Sequence, residues 1–262
     1  MRLPDSPRLT AAVDAGAPLL FLSAHLDDGV LSCGSLMTAV AGRCPLTVAT
    51  LFTEGDDPPY TLAARNFVRQ CGAAGIPSLF ADRQAEDLAV LEQIGARGLH
   101  LGGVDALFRK RTRLAGTPLA RIPELVHRYP TYRFDISLGR VSRGDRDVAG
   151  PLAQALAGPA AEAALIFVPI GVGKHVDHLL TRRIGEQWAE KIVYFSDFPY
   201  DFRGGSPDPR FRARRDLTRW TVDPAPEKIG LVEGYATQVA ALFEGGVVPE
   251  RPETYFEPIA AA

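Results

Sequence analysis

The stretch 19-LLFLSAHLDDGVLSCGSLMTAVAG-42 decides the fold. Leu19–Ser23 is an apolar run too brief for a helix, the polar cluster AHLDDG follows it, and GSLMTAVAG suits a helix. That order is a β-loop-α unit. Working outward, residues 46–52 (LTVATLF) read as a second, β-branched strand, and TEGDDPP after them as a loop by its Gly, Asp and Pro content. Residues 61–73 read as a helix, and 83–94 (RQAEDLAVLEQI) as another, with Gly95 placed to end it. Leu165–Pro169 (LIFVP) is a third apolar strand, GVGK a turn, 175–191 a helix, and Ile192–Phe195 (IVYF) the next strand. KIGLVEGYATQVAALF at 228–243 reads as a packing helix.

Strands that are apolar on both faces and alternate with helices predict an α/β fold, a Rossmann-like, doubly wound and mostly parallel sheet covered by helices on both sides. The stretch 109–148 is rich in Arg, Pro and Gly with weak periodicity, which predicts an irregular insertion or lid. No repeat or linker composition divides the 262 residues, so one domain over 1–262 is expected.

Composition narrows the function classes. Lys plus Arg number 29 against 31 acidic residues and are scattered, so nucleic acid is not an expected partner. Cys33, Cys44 and Cys71 form no CxxC pair, and an odd count argues against a disulfide framework, which points to a reducing, cytoplasmic setting. No apolar stretch approaches the roughly 20 residues of a membrane span, so stable membrane insertion is not expected. A homo-oligomer is compatible with the sequence.

Folds of this class place their sites at the C-terminal ends of strands. After LLFLS come His25, Asp27 and Asp28; after LIFVP come His175, Asp177 and His178. Imidazole and carboxylate are ordinary ligands for zinc and ferrous iron, and His175 and His178 are spaced to project from one side of a helical turn. The first cluster alone is equally well explained by Asp27 or Asp28 capping the next helix, but two such clusters after two strands favour a metal site. A catalytic zinc has three protein ligands and an open position, and His25, Asp28 and His178 supply three. Asp27 is then the base for a bound water, His175 the donor to a developing oxyanion, and Asp177 the partner that orients His175 and keeps it protonated. Zinc is the expected ion, with ferrous iron the alternative.

These residues resemble a known family. AHLDDG is similar to the AHPDDE signature, and HVDH to the HPDH signature, of the PIG-L (LmbE-like) de-N-acetylases. The resemblance implies a Rossmann-like sheet and release of acetate from N-acetylglucosamine-type groups. It assigns the metal ligands to His25, Asp28 and His178, the base to Asp27, and the oxyanion-side pair to His175 and Asp177. It extends through RQAEDLAVLEQIGARGLHLGGVDA, where Arg83 and Asp105 match substrate-contacting positions. The chain departs from the pattern at Leu26 and Val176, which replace prolines, at Gly29, which replaces the Glu and removes a hydrogen bond behind the ligands, and at Gly173, where some relatives carry a tyrosine.

The expected activity is therefore removal of an N-acetyl group from an N-acetylglucosamine-type sugar conjugate, a small-molecule partner. Alternatives are a metal amidase acting on a larger acyl or thiol-conjugate amide, and a non-catalytic sugar- or nucleotide-binding module. The Ala-, Gly-, Pro- and Arg-rich composition suits a GC-rich bacterial genome, which points to secondary-metabolite or thiol-cofactor synthesis as the setting.

Overall fold

A computed structural model of the chain describes residues 4–205, 211 and 216–259. Its centre is a seven-stranded sheet in the order β3-β2-β1-β4-β5-β7-β6. The strands are β1 (Leu19–Ser23), β2 (Leu46–Glu54), β3 (Arg97–Val104), β4 (Leu165–Pro169), β5 (Ile192–Phe195), β6 (Leu217–Val222) and β7 (Glu253–Pro258). The first five in space run parallel, and β7 and β6 close the sheet antiparallel. This is the mostly parallel α/β sheet expected from the sequence, with an antiparallel edge added.

The helices are α1 (Pro7–Asp14), α2 (Asp28–Val40), α3 (Leu62–Gln70), α4 (Ile76–Ile94), α5 (Pro123–Val126), α6 (Arg146–Glu162), α7 (Val176–Gly185), α8 (Lys228–Glu233) and α9 (Ala236–Leu242). Alternate residues of each strand face opposite layers. Leu19, Phe21, Val48, Phe167 and Val193 pack beneath α1, α2, α4 and α8, while Leu20, Leu22, Ala49, Ile166 and Val168 pack beneath α6 and α7. Phe21 and Phe167 stack at 4.3 Å between ring centres, joining β1 to β4 on the first face.

Three elements differ in extent from the sequence expectation. Helix α2 starts at Asp28 and α4 at Ile76, both well before the apolar pattern that suggested them. The helix expected over 228–243 is two, α8 and α9, which part at Gly234 and Tyr235. Gly95 does end α4, in the left-handed conformation at φ 72° that glycine adopts freely. Beyond α7, residues Glu186–Lys191 continue as a 3-10 helix.

Residues 109–145 hold only short helical turns, including α5 and a π turn at Tyr132–Ile136, and α6 already begins at Arg146, inside the stretch expected to be irregular. A third apolar cluster ties these residues to both strand-end loops. Leu26 and Val176 are fully buried there with Phe108, Tyr129 and Ile136, which anchors each loop by apolar packing.

Helix α7 lies close on the sheet because Gly185 faces β4: a Cβ there would sit 2.4 Å from Val168 Cγ1 and 3.2 Å from Leu22 Cδ1. Gly185→Val is expected to cost about 1–3 kcal/mol by overpacking, read as a lower urea midpoint at unchanged m-value. An unchanged midpoint would contradict this close seating of α7.

Candidate metal centre

The strand order reverses between β1 and β4, since β2 flanks β1 on one side and β5 flanks β4 on the other. Loops leaving such neighbours diverge and open a crevice. His25, Asp27 and Asp28 leave β1 on one lip, and His175 and His178 follow β4 on the other. The first loop is pinned by its own backbone. The Ser23 hydroxyl donates to His25 O at 2.5 Å and accepts the Gly29 N–H at 2.9 Å, and Asp28 Oδ2 accepts the His25 N–H at 2.9 Å. Asp27 occupies the N-cap position of α2 without a side-chain cap bond, so the capping explanation does not account for its carboxylate.

The two lips meet at Asp28. Its Oδ2 lies 3.0 Å from His25 Nδ1 and 3.2 Å from His178 Nε2. The ring nitrogens facing away from Asp28 each have a carboxylate of their own: His25 Nε2 is 3.2 Å from Asp177 Oδ2, and His178 Nδ1 is 2.6 Å from Asp197 Oδ1. A histidine that binds metal through one nitrogen commonly donates its other N–H to a carboxylate, which fixes ring and tautomer. Asp197 is held in turn by the N–H groups of Gly171 and Val172, both at 2.8 Å. By sequence alone Asp197, just past a strand end, is equally a pocket residue or a simple loop residue; the structure sets it behind His178.

The same geometry corrects the role expected for Asp177. Its carboxylate faces His25, the Arg109 guanidinium at 2.6 Å and the Ala106 N–H at 2.8 Å. His175 Nδ1 instead accepts the backbone N–H of Asp177 at 3.2 Å, as the N-cap of α7. That nitrogen is an acceptor, so the ring is neutral. Burial and the neighbouring His25 and His178 push the His175 pKa well below the usual imidazole range, in agreement.

Charge explains what the cluster is suited to hold. Burial pulls the His25 pKa down, but Asp105 at 3.6 Å, Asp177 and Asp28 outweigh it and push it up to about 10. His178 is likewise raised well above its ordinary value against its own burial, by Asp28 and Asp197. The site therefore draws positive charge onto both rings. His178 Nε2 is buried and makes no hydrogen bond although Asp28 Oδ2 is 3.2 Å away, so a cation that displaces the proton would find a lone pair there, shared with that carboxylate. Imidazole nitrogens on either side of a carboxylate oxygen fit zinc or ferrous iron. Ring nitrogens of His25, His175 and His178 also lie within 4.8 Å of one another, and the His175 ring is 4.9 Å from His25 and 5.2 Å from His178 between centres.

A cavity of about 100 Å³ opens beside this group, lined by His25, Asp27, Asp28, Arg83, Asp105 and His175 among others. Asp27 is buried, and its Oδ1 lies 3.7 Å from Arg83. Burial and the adjacent Asp28 push its pKa up to about 7 against the pull of Arg83 and His25. Arg83 is 3% exposed and its Nε has no hydrogen-bond partner, and the carboxylate of Asp105 accepts the Leu107 N–H at 2.8 Å. All eight site residues expected from the sequence thus meet here, with Asp177 and His178 behind the cavity wall.

Tyr132, from the insertion, and Tyr200, from the loop after β5, also line the cavity, with hydroxyls 3.4 Å apart. Gly173 makes room for them: a Cβ there would lie 2.7 Å from Tyr200 Cδ1, and its φ of 78° favours glycine. Gly29 is also closely surrounded, with Ser23 Cβ, Ser23 Oγ and Val48 Cγ1 each 3.3 Å from an added Cβ, so a side chain there would press on both neighbours.

With a histidine pKa near 10, His25 carries a proton at neutral pH until a cation takes its place. Zinc binding is therefore expected to release at least one proton at pH 7.5 and to tighten as pH rises through 6–8, measured by calorimetry in buffers of different ionisation enthalpy. Binding without proton release would contradict the charge assignment.

No family model matches the sequence, and no curated protein matches it. Solved structures do. A deacetylase of the teicoplanin biosynthesis pathway is 23% identical with a TM-score of 0.73, the match covering 92% of this chain and 97% of that one. A zinc-inhibited form of teicoplanin deacetylase is 22% identical with a TM-score of 0.70 over 92% and 97%. The A40926 pseudoaglycone deacetylase is 22% identical with a TM-score of 0.67 over 93% and 98%. Across nearly its whole length, then, this chain shares the fold of these deacetylases.

Proposed function

We propose that the protein is a metal-dependent amide hydrolase of the PIG-L (LmbE-like) type that removes an N-acetyl group from an N-acetylglucosamine-type sugar conjugate. The convergence of His25 Nδ1 and His178 Nε2 on Asp28, beside a carboxylate that binds neither, carries this reading. His25, Asp28 and His178 would hold one divalent ion, zinc or alternatively ferrous iron. Such an ion, when bound, polarises a carbonyl and lowers the pKa of water.

The remaining steps belong to side chains. Asp27, with a pKa pushed up to about 7, accepts the proton of the attacking water and returns it to the leaving amine. Neutral His175 donates through Nε2 toward the oxygen on which charge develops, because Nδ1 is committed to the Asp177 N–H. Arg83 and Asp105 on the cavity wall contact the sugar hydroxyls. The cavity of about 100 Å³ beside these residues has room for a small group such as acetyl. The fold shared with deacetylases that bear the names of teicoplanin and of a pseudoaglycone supports a sugar conjugate as substrate. A non-catalytic binding module would have no need of the full ligand set together with a free base.

The test compares wild type, Asp27→Ala and Asp28→Ala for metal content and for acetate release from N-acetyl amino sugars and their conjugates. Zinc is supplied at one equivalent, since a zinc-inhibited form exists among the neighbours. Wild type and Asp27→Ala are expected to hold about one ion, Asp28→Ala to lose it, and Asp27→Ala to lower kcat by roughly 10²–10⁴. A wild type that binds no divalent ion refutes the hydrolase reading.

A further inference from the structure

Arg109, the first residue of the insertion expected at 109–148, does not line the cavity and is only 3% exposed. Its guanidinium lies 4.7 Å from the centre of the Phe52 ring and donates twice to Val104 O, at 3.0 and 2.8 Å. One nitrogen reaches Asp177 Oδ1 at 2.6 Å, and the other lies 3.1 Å from Asp145 Oδ2. Asp145, from the far end of the insertion, also accepts from Arg128 at 2.8 Å and from the Tyr129 hydroxyl at 2.5 Å. Asp177 is fully buried, and its second oxygen is the one that faces His25 Nε2.

We propose that Arg109 is a positioning residue for the metal site, acting through Asp177 on His25 and fixed in place from the insertion by Asp145. This rests on the metal-centre reading above. The Ala106 N–H holds one oxygen of Asp177 and the Arg109 guanidinium the other, so that without Arg109 the carboxylate beside His25 would keep a single anchor. The planar guanidinium fork lies against Asp177 and Asp145 at once, which an ammonium does not reproduce. The chain Asp145–Arg109–Asp177–His25 therefore joins the segment that carries Tyr132 over the cavity to a metal ligand. By linkage, ordering of the insertion and metal affinity support each other.

The experiment is a double-mutant cycle on zinc affinity, read by competition with a chromophoric chelator, using Arg109→Met, Asp177→Asn and the pair, each checked for folding by circular dichroism. Arg109→Met and Asp177→Asn are each expected to weaken zinc binding by roughly 10–100-fold, and the pair no more than Asp177→Asn alone. Arg109→Lys is expected to fall between wild type and Arg109→Met. If Arg109→Met does not fold, Arg109→Lys and Asp145→Asn replace it in the cycle. A lower unfolding midpoint with unchanged zinc affinity, or independent effects that multiply in the pair, would assign Arg109 a structural role only and overturn the inference. Wild type that binds no zinc would instead overturn the metal-centre reading, and this inference with it.

Discussion

Burying the carboxylates of Asp28, Asp105 and Asp177 around one imidazole is costly unless positive charge balances them. The structure supplies part of that charge from Arg109 and leaves the rest to be carried on His25 and His178, whose pKa values rise despite burial. A divalent cation at the same point meets the demand without protons. The surroundings agree with this constraint: the tight Ser23–His25–Gly29 loop, Asp177 behind the His25 ring and Asp197 behind the His178 ring hold charged groups at fixed separations in the crevice.

The fold makes that crevice available at little expense. Two parallel strands whose connections run in opposite directions leave their C-terminal loops facing each other, so residues 152 positions apart, His25 and Asp177, become neighbours. The insertion closes the other side through an apolar cluster that includes Leu26 and Val176. The geometry of both loops therefore depends on the packing of that cluster.

The legible part of this architecture was the part written locally. Strands β1, β4 and β5 stand out because they are continuous apolar runs between polar loops, and the two motifs follow from their placement at strand ends. Strand β3 was missed because Gly98, Gly102 and Gly103 erase its β pattern, β6 because only Trp220 and Val222 of it are buried, and β7 because two of its three buried positions are Glu253 and Glu257, so its regular alternation in burial leaves no hydrophobic pattern. The early start of α4 is hidden by Pro77, which serves as a first-turn residue of that helix. In the site, residue types and spacing pointed to ligands and base, but pairing between distant residues left no such trace. Nothing local to HVDH shows that the Asp177 carboxylate serves His25 while its backbone serves His175, or that Asp197 supports His178. Tyr132 was silent, since it reaches the cavity from a segment without periodic signal, while Tyr200, just past a strand end, could be read as either pocket wall or core.

The central claim is that two loops from different strands share one ion through His25, Asp28 and His178. X-ray absorption at the zinc edge of protein loaded with one equivalent of zinc tests it most directly. The account predicts a first shell of nitrogen and oxygen at about 2.0–2.2 Å, with outer-shell scattering from two imidazole rings that drops to one ring in His178→Ala. A sulfur scatterer at about 2.3 Å, or a spectrum unchanged by that substitution, would contradict it.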